Sequence, residues 1–281
     1  MSIKLVAIDL DQTLLRADKT YDVERFEAVV EQLTQQGVMV CIATGNSYHK
    51  IVEFFSASVL EKLHLAGDNG NFIMCDHEVE QVIGIERQTF LKLCDYFEGK
   101  ENFFICISTG EVSYMNVSEG IGFEKILKYN NEYKIVQDFS EIPEEQVATK
   151  IAIFSPRSLA RNKVIAKELS DQFADLSVVT SGDDWVDAYH YEGGKGSAIQ
   201  FFKERYQLKP EEVMAFGDSL NDESMMKEVK YSVAMSNADT DLALHCQYKI
   251  GSNEEQAVID ILERLVNEPD AQFMDQYEMN R

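Results

Sequence analysis

Three short apolar runs, Leu5–Ile8, Val38–Ala43 and Val213–Phe216, each break off into acids, glycines or hydroxyls, and helix-patterned stretches lie beside them. Within 23–35, Val23, Phe26, Val29, Val30 and Leu33 recur at the spacing of one helical face. The first two runs and this helix therefore read as a β-α-β unit. Such units join parallel strands by right-handed crossovers, and strands buried on both faces read as uninterrupted apolar runs. The fold class that follows is α/β, a doubly wound parallel sheet.

The alternation changes after residue 84. Phe103–Ser108 and Glu111–Asn116 read as strands separated by Thr109-Gly110, a hairpin signal. A strand at Lys150–Phe154, a helix at Leu159–Phe173 and a strand at Leu176–Val179 follow. Alternation then returns with a helix at Ser197–Tyr206, the run Val213–Phe216, a helix around Asp222–Val229, a strand at Tyr231–Met235 and a helix at Glu254–Val266. This divides the chain into a split core, 1–83 and 188–281, and an inserted α+β unit, 84–187. A length of 281 residues suits two such units. The segment after Pro269 carries no clear pattern.

Lys and Arg number 26 against 49 Asp and Glu, a net charge of −23 that repels a polyanionic backbone and excludes nucleic acid as a partner. Any anionic ligand then needs a local positive site. The five cysteines show no C-x-x-C spacing and fit a reducing compartment. The opening MSIKLVAIDLDQ has only a short apolar run broken by Asp9, so neither a signal peptide nor a membrane span is expected, and the cytoplasm is the expected location. Nothing in the sequence speaks to oligomeric state.

The stretch VAIDLDQTLL, residues 6–15, places Asp9 at a strand carboxyl end and Asp11 just beyond, the edge where open α/β sheets bind ligands. Two neighbouring carboxylates resist joint ionisation unless a cation is present, and a hard divalent ion such as Mg²⁺ suits carboxylate oxygens. The alternative is that one acid caps the turn. The second run ends in Thr44-Gly45-Asn46 ahead of a helix, where a hydroxyl, a bare amide and a helix N-terminus make an anion site, or where Thr and Asn act as plain caps. The third ends in Gly217-Asp218-Ser219-Leu220-Asn221-Asp222. One helical turn can bring Asp218 and Asp222 to a point, and capping is again the rival reading.

Gly193-Gly194-Lys195-Gly196-Ser197 is not a P-loop, because Gly196 stands where Ser or Thr is required and Tyr189 where the first glycine is. Lys195 is then either an ordinary solvated side chain or a point charge for phosphate between glycines that admit close approach. The five histidines form no metal pair. Trp185, beside Asp183, Asp184 and Asp187, reads as a strand-edge core residue, with a pocket wall as the alternative.

Taken in order, D-x-D-x-T at Asp9–Thr13, Thr44-Gly45, Lys195-Gly196 and G-D-S-x-N-D at Gly217–Asp222 resemble the four motifs of the haloacid dehalogenase superfamily. The likeness extends to YSVAMSNA at 231–238 and SNEE at 252–255, and the insert resembles the type IIB cap of the Cof-like sugar-phosphatase branch. Two positions depart from it: Gln12 stands where that branch usually has glycine, and Asn46 where it usually has arginine.

The resemblance implies Asp9 as nucleophile and Asp11 as general acid and base. It implies Leu10, Thr44, Gly45, Asn221 and Lys195 around the phosphoryl oxygens, and Mg²⁺ held by Asp9, Asp11 and Asp218 with Asp222 beside it. The expected activity is a Mg²⁺-dependent phosphatase acting on a small phosphorylated metabolite, such as a sugar phosphate or phosphorylated cofactor. A phosphomutase acting on a hexose phosphate and a non-catalytic phospho-ligand sensor are the rival readings.

Overall fold

The computed structural model describes residues 2–181 and 184–279. The chain begins with β1 (Leu5–Ile8), α1 (Val23–Gln35), β2 (Met39–Ala43), α2 (Tyr48–Val52), α3 (Ala57–Leu60), β3 (Leu63–Gly67), β4 (Phe72–Cys75) and β5 (Glu78–Val82). The inserted stretch contributes α4 (Arg87–Phe97), β6 (Phe104–Ser108), β7 (Ser113–Met115), α5 (Gly120–Leu127), β8 (Tyr133–Ile135), β9 (Lys150–Phe154), α6 (Leu159–Gln172), β10 (Leu176–Thr180) and β11 (Trp185–His190). Then come α7 (Lys195–Tyr206), β12 (Val213–Gly217), α8 (Glu223–Glu228), β13 (Tyr231–Ala234), α9 (Thr240–Ala243), β14 (Tyr248–Lys249) and α10 (Ala257–Asn267).

Eight strands form one sheet in the order β14-β13-β12-β1-β2-β3-β4-β5, parallel from β14 to β3 and antiparallel beyond. Strand alternation sends side chains to two faces. Val6, Ile8, Val40 and Ile42 pack with Phe26, Leu33 and Leu262 of α1 and α10. Leu5, Ala7, Cys41 and Ala43 pack with Ile199, Phe202 and Met225 of α7 and α8. Both faces are covered, which is why these strands read as unbroken apolar runs. Asp22 starts α1 by accepting the Arg25 amide at 3.3 Å, and Phe26, Val29, Val30 and Leu33 face inward. Val23 shares their spacing but lies in the first turn and stays exposed.

The second sheet has the order β10-β11-β9-β6-β7-β8 and is antiparallel except for the β7–β8 pair. One of its faces, with Ile105, Ile107, Ile151, Ile153, Val186 and Ala188, packs on Leu93 of α4 and Leu169 of α6. The β6–β7 connection is longer than Thr109-Gly110, because Ser108 pairs with Ser113 and the Thr109 amide donates to Val112 O at 2.9 Å. Gly110 takes φ +84° against the Phe72 ring, which a Cβ would meet at 2.2 Å. The turn is shaped by the first sheet beneath it, which its own sequence does not record.

The segment after Pro269 is also ordered by distant contacts: Ile3 N donates to Pro269 O at 2.8 Å, and Phe273 and Met274 are buried. No helix among the described residues is long and apolar enough to cross a membrane.

Polar groups tie the two sheets together. Lys150 on β9 is buried, donates to Gly45 O and lies 3.5 Å from the buried Asp68 carboxylate, which also accepts from Ser108 Oγ at 2.6 Å and Thr149 Oγ1 at 2.8 Å. Burial works against the Lys150 charge, but Asp187 and Asp68 outweigh it and hold the ammonium above the ordinary lysine range. Lys163 of α6 also pairs with Asp239 at 2.8 Å and Asp241 at 2.7 Å. Removing one partner of a buried pair leaves the other charge uncompensated, so Lys150→Met is expected to cost about 3–5 kcal/mol in denaturant unfolding. Adding Asp68→Asn to the same chain is expected to recover part of that loss.

Candidate active site

The register of the first sheet places the ends of β1, β2 and β12 side by side: Ile8 lies opposite both Phe216 and Ile42. The residues that follow these strands therefore meet at one edge, and the Asp9 amide still donates to Phe216 O at 3.1 Å. Asp9, Asp218 and Asp222 are buried, and each offers a carboxylate oxygen within 4.8 Å of the others. Among the described residues they are the group of metal-ligating side chains with such spacing.

Lys195, the first residue of α7, has no solvent exposure and donates to Asp9 Oδ1 at 2.6 Å and Asp222 Oδ1 at 2.5 Å. Burial opposes its charge, yet Asp222 and Asp9 more than offset this and hold its pKa above the ordinary lysine range. The solvated-lysine reading is thereby set aside. Asp222 is further held at Oδ2 by the amides of Asp218 at 2.9 Å and Ser219 at 3.0 Å. Capping and charge pairing thus coexist in one carboxylate. Gly217 makes this possible, since a Cβ there would lie 2.5 Å from the Asp222 carboxyl carbon.

One lysine does not balance three carboxylates. Burial pushes Asp9 up to about 7 against the pull of Lys195, with the Asp222 charge adding to the rise. Burial, then the charges of Asp9 and Asp222, push Asp218 well above the usual carboxylate range. A divalent cation among these oxygens would remove the conflict, so the donor set fits a hard metal ion. Asp218 also accepts from Thr13 Oγ1 at 3.2 Å, which connects the first motif to the last.

Thr44 and Gly45 follow β2. Thr44 Oγ1 accepts from the Asn46 amide and side chain, both at 3.2 Å, and Asn46 Nδ2 donates to Asp11 Oδ2 at 2.8 Å. Leu10 is buried, and its carbonyl accepts from Leu15 N at 2.8 Å. Asn221 Nδ2 donates to Asn69 Oδ1 at 2.9 Å, and Asn69 in turn donates to Asp187 of β11 at 2.9 Å. Gln12 takes φ 60°, the left-handed conformation that glycine adopts freely, and its carbonyl accepts from Asn237.

Above this edge lies a cleft of about 240 Å³. Asp9, Asp11, Thr44, Gly45, Asp218 and Asn221 line it from the first sheet. Lys125, Lys128, Tyr129, Lys150, Trp185 and Asp187 line it from the insert. Trp185 is half-buried and meets Tyr129 edge-on at 5.5 Å, so it forms a pocket wall as well as opening a strand. Asp184 and Asp187 line the cleft with it, whereas Asp183 is outside the described residues. The sequence did hold a signal for this wall. In β9 and β11 every second residue, Lys150, Ala152, Trp185 and Asp187, shares the cleft-facing side, while Ile151, Ile153, Val186 and Ala188 fill the insert's core.

A model of the haloacid dehalogenase-like hydrolases matches residues 6–262. The chain is similar to 5-amino-6-(5-phospho-D-ribitylamino)uracil phosphatase YbjI of Escherichia coli, with 25% identity over 95% of this chain and 97% of that one. The structure of SMU.1108c from Streptococcus mutans superposes with a TM-score of 0.87 at 26% identity, covering 95% of this chain and 100% of that one. The subclass IIB sugar phosphatase BT4131 shares the fold at a TM-score of 0.78 and 18% identity, covering 93% and 98%. The acids after β1 and β12, the enclosed lysine and these matches together place the chain among the haloacid dehalogenase-like hydrolases, as a phosphoric monoester hydrolase.

Proposed function

We propose that the protein is a Mg²⁺-dependent phosphatase that hydrolyses a small phosphomonoester through an aspartyl-phosphate on Asp9. The observation that carries this reading is the bond from fully buried Lys195 to Asp9, beside Asp218 and beneath the cleft. In the first step an Asp9 carboxylate oxygen attacks phosphorus. The bond to the leaving oxygen breaks with its electron pair, and Asp11 gives that oxygen a proton. In the second step Asp11 takes a proton from water, the resulting hydroxide adds to phosphorus, and the Asp9–phosphorus bond breaks to release inorganic phosphate.

Lys195, Thr44, Asn221 and the amides of Leu10 and Gly45 face the phosphoryl oxygens, where charge spreads in the transition state. Asp9, Asp218 and the Asp11 carbonyl would hold Mg²⁺, with Asp222, whose oxygens already serve Lys195 and two amides, beside it. When bound, the ion offsets acidic charge and polarises a phosphoryl oxygen. The stretch 84–187 acts as a cap over a core made of 1–83 and 188–281, and limits water in the cleft.

The leaving group lies against the insert's wall. Trp185 and Tyr129 offer ring surface, and Lys128, Asp184 and Asp187 offer polar groups, which suits a phosphorylated polyol or a ring-bearing cofactor precursor. The E. coli relative's named substrate is of that kind, so phosphorylated ribitylaminouracil belongs in the test panel beside sugar phosphates.

Asp9→Asn is expected to abolish phosphate release from every substrate that the parent protein hydrolyses, with the unfolding transition retained; measurable turnover in that variant would sink the nucleophile assignment. Released phosphate, rather than an isomerised hexose phosphate, separates hydrolysis from mutase chemistry. Mg²⁺ at a hundred times its dissociation constant is expected to add about 2.7 kcal/mol to stability, which for a chain of this size raises Tm by roughly 5–10 °C. Asp218→Asn should remove most of that rise in a thermal scan.

A further inference from the structure

The Asp11 carboxylate is gripped at both oxygens: Lys19 Nζ donates to Oδ1 at 2.5 Å and Asn46 Nδ2 to Oδ2 at 2.8 Å. Asn46 is neutral and brings no charge to that carboxylate. Positive charge reaches Asp11 from another direction, the loop that follows β1. That loop is closely built. Arg16 N donates to Thr20 O at 2.8 Å, Lys19 N to Arg16 O at 3.0 Å, and Asp18 Oδ1 accepts from the Thr20 amide at 3.0 Å and hydroxyl at 2.6 Å.

Within the loop Lys19 sits at φ 66°, a left-handed conformation that disfavours a residue carrying a Cβ. Exposed ion pairs contribute little to stability, so stability alone does not account for keeping lysine at such a position. Backbone strain of this kind is a pointer to function when the side chain it aims has a target. Here the target is Asp11. Tyr129 of the insert lies against the same ammonium, 5.2 Å from ring centre to Nζ, so the lysine is held from two sides.

We propose that Lys19 is a positioning residue that fixes the plane of the Asp11 carboxylate and supplies the charge absent at Asn46. A carboxylate has about four acceptor sites, so two donors fix its orientation and leave room for the leaving oxygen. The inference rests on the reading of Asp11 as the proton donor and acceptor.

Phenyl phosphate and p-nitrophenyl phosphate test it, because they share a ring but differ in how much the leaving oxygen needs a proton. Lys19→Gly removes the side chain and relaxes the backbone at φ 66°, so Tm is expected not to fall. Its kcat on phenyl phosphate is expected to drop by about tenfold to a hundredfold, the scale of a misplaced catalytic group, with a much smaller drop on p-nitrophenyl phosphate. Lys19→Arg is expected to restore most of the loss. Equal losses on both esters, or no loss, while Asp11→Asn shows the leaving-group bias, would overturn the proposal. An Asp11→Asn variant with no bias instead removes the acid–base reading beneath it.

Discussion

Lys195 holds a positive charge where water does not reach, and it can do so only because Asp9 and Asp222 meet it there. The reverse dependence is as strong, since the two carboxylates and Asp218 would be an uncompensated acidic cluster without it. Residues 9, 195 and 222 come from distant parts of the chain, so satisfying this charge fixes the start of α7 against the ends of β1 and β12. Other local features serve that arrangement. Gly217 lets Asp222 fold back onto its own strand end, and Ser224 Oγ accepts the Gly196 amide at 3.0 Å to seat the first turn of α7.

The chain as a whole repels anions, with 49 acids against 26 Lys and Arg. A phosphoester therefore has to be received by charge concentrated in one place. Lys19, Lys125, Lys128 and Lys150 all line the cleft, three of them from the insert. Lys150 is largely committed to Asp68 and to the Gly45 carbonyl, and Lys125 pairs with Asp184 at 3.1 Å. Through Lys150 the insert grips the backbone of Thr44-Gly45 itself. Docking of the insert and the shape of the turn after β2 are coupled through a buried lysine.

What the sequence disclosed follows from what is local. The ends of β1, β2 and β12 were legible because each apolar run stops at a polar residue, and α/β topology brings such ends to one edge. Lys195 was legible as a candidate but ambiguous in burial, because its enclosure depends on two carboxylates 186 and 27 residues away. Asn69, Lys150 and Asp187 were missed because their partners lie across the junction between insert and core, and the alternation in β9 and β11 marks a face without saying what it meets. Lys19 was missed because its reach to Asp11, eight residues back, depends on how the loop after β1 turns. The β6–β7 turn length and the ordering of the chain after Pro269 are likewise set by Phe72 and Ile3, remote in sequence.

The two departures from the family pattern differ in kind. Asn46 brings no charge to Asp11, and Lys19 reaches the same carboxylate with one from another loop. Gln12 instead keeps the backbone conformation that glycine would provide, φ 60°, and adds a side chain at the cleft. The contact that Gln12 makes to Asn237 uses its carbonyl, which glycine also has, so the side chain itself is what the position adds. Gln12 therefore bears on the space within the cleft, and Asn46 on how Asp11 is held.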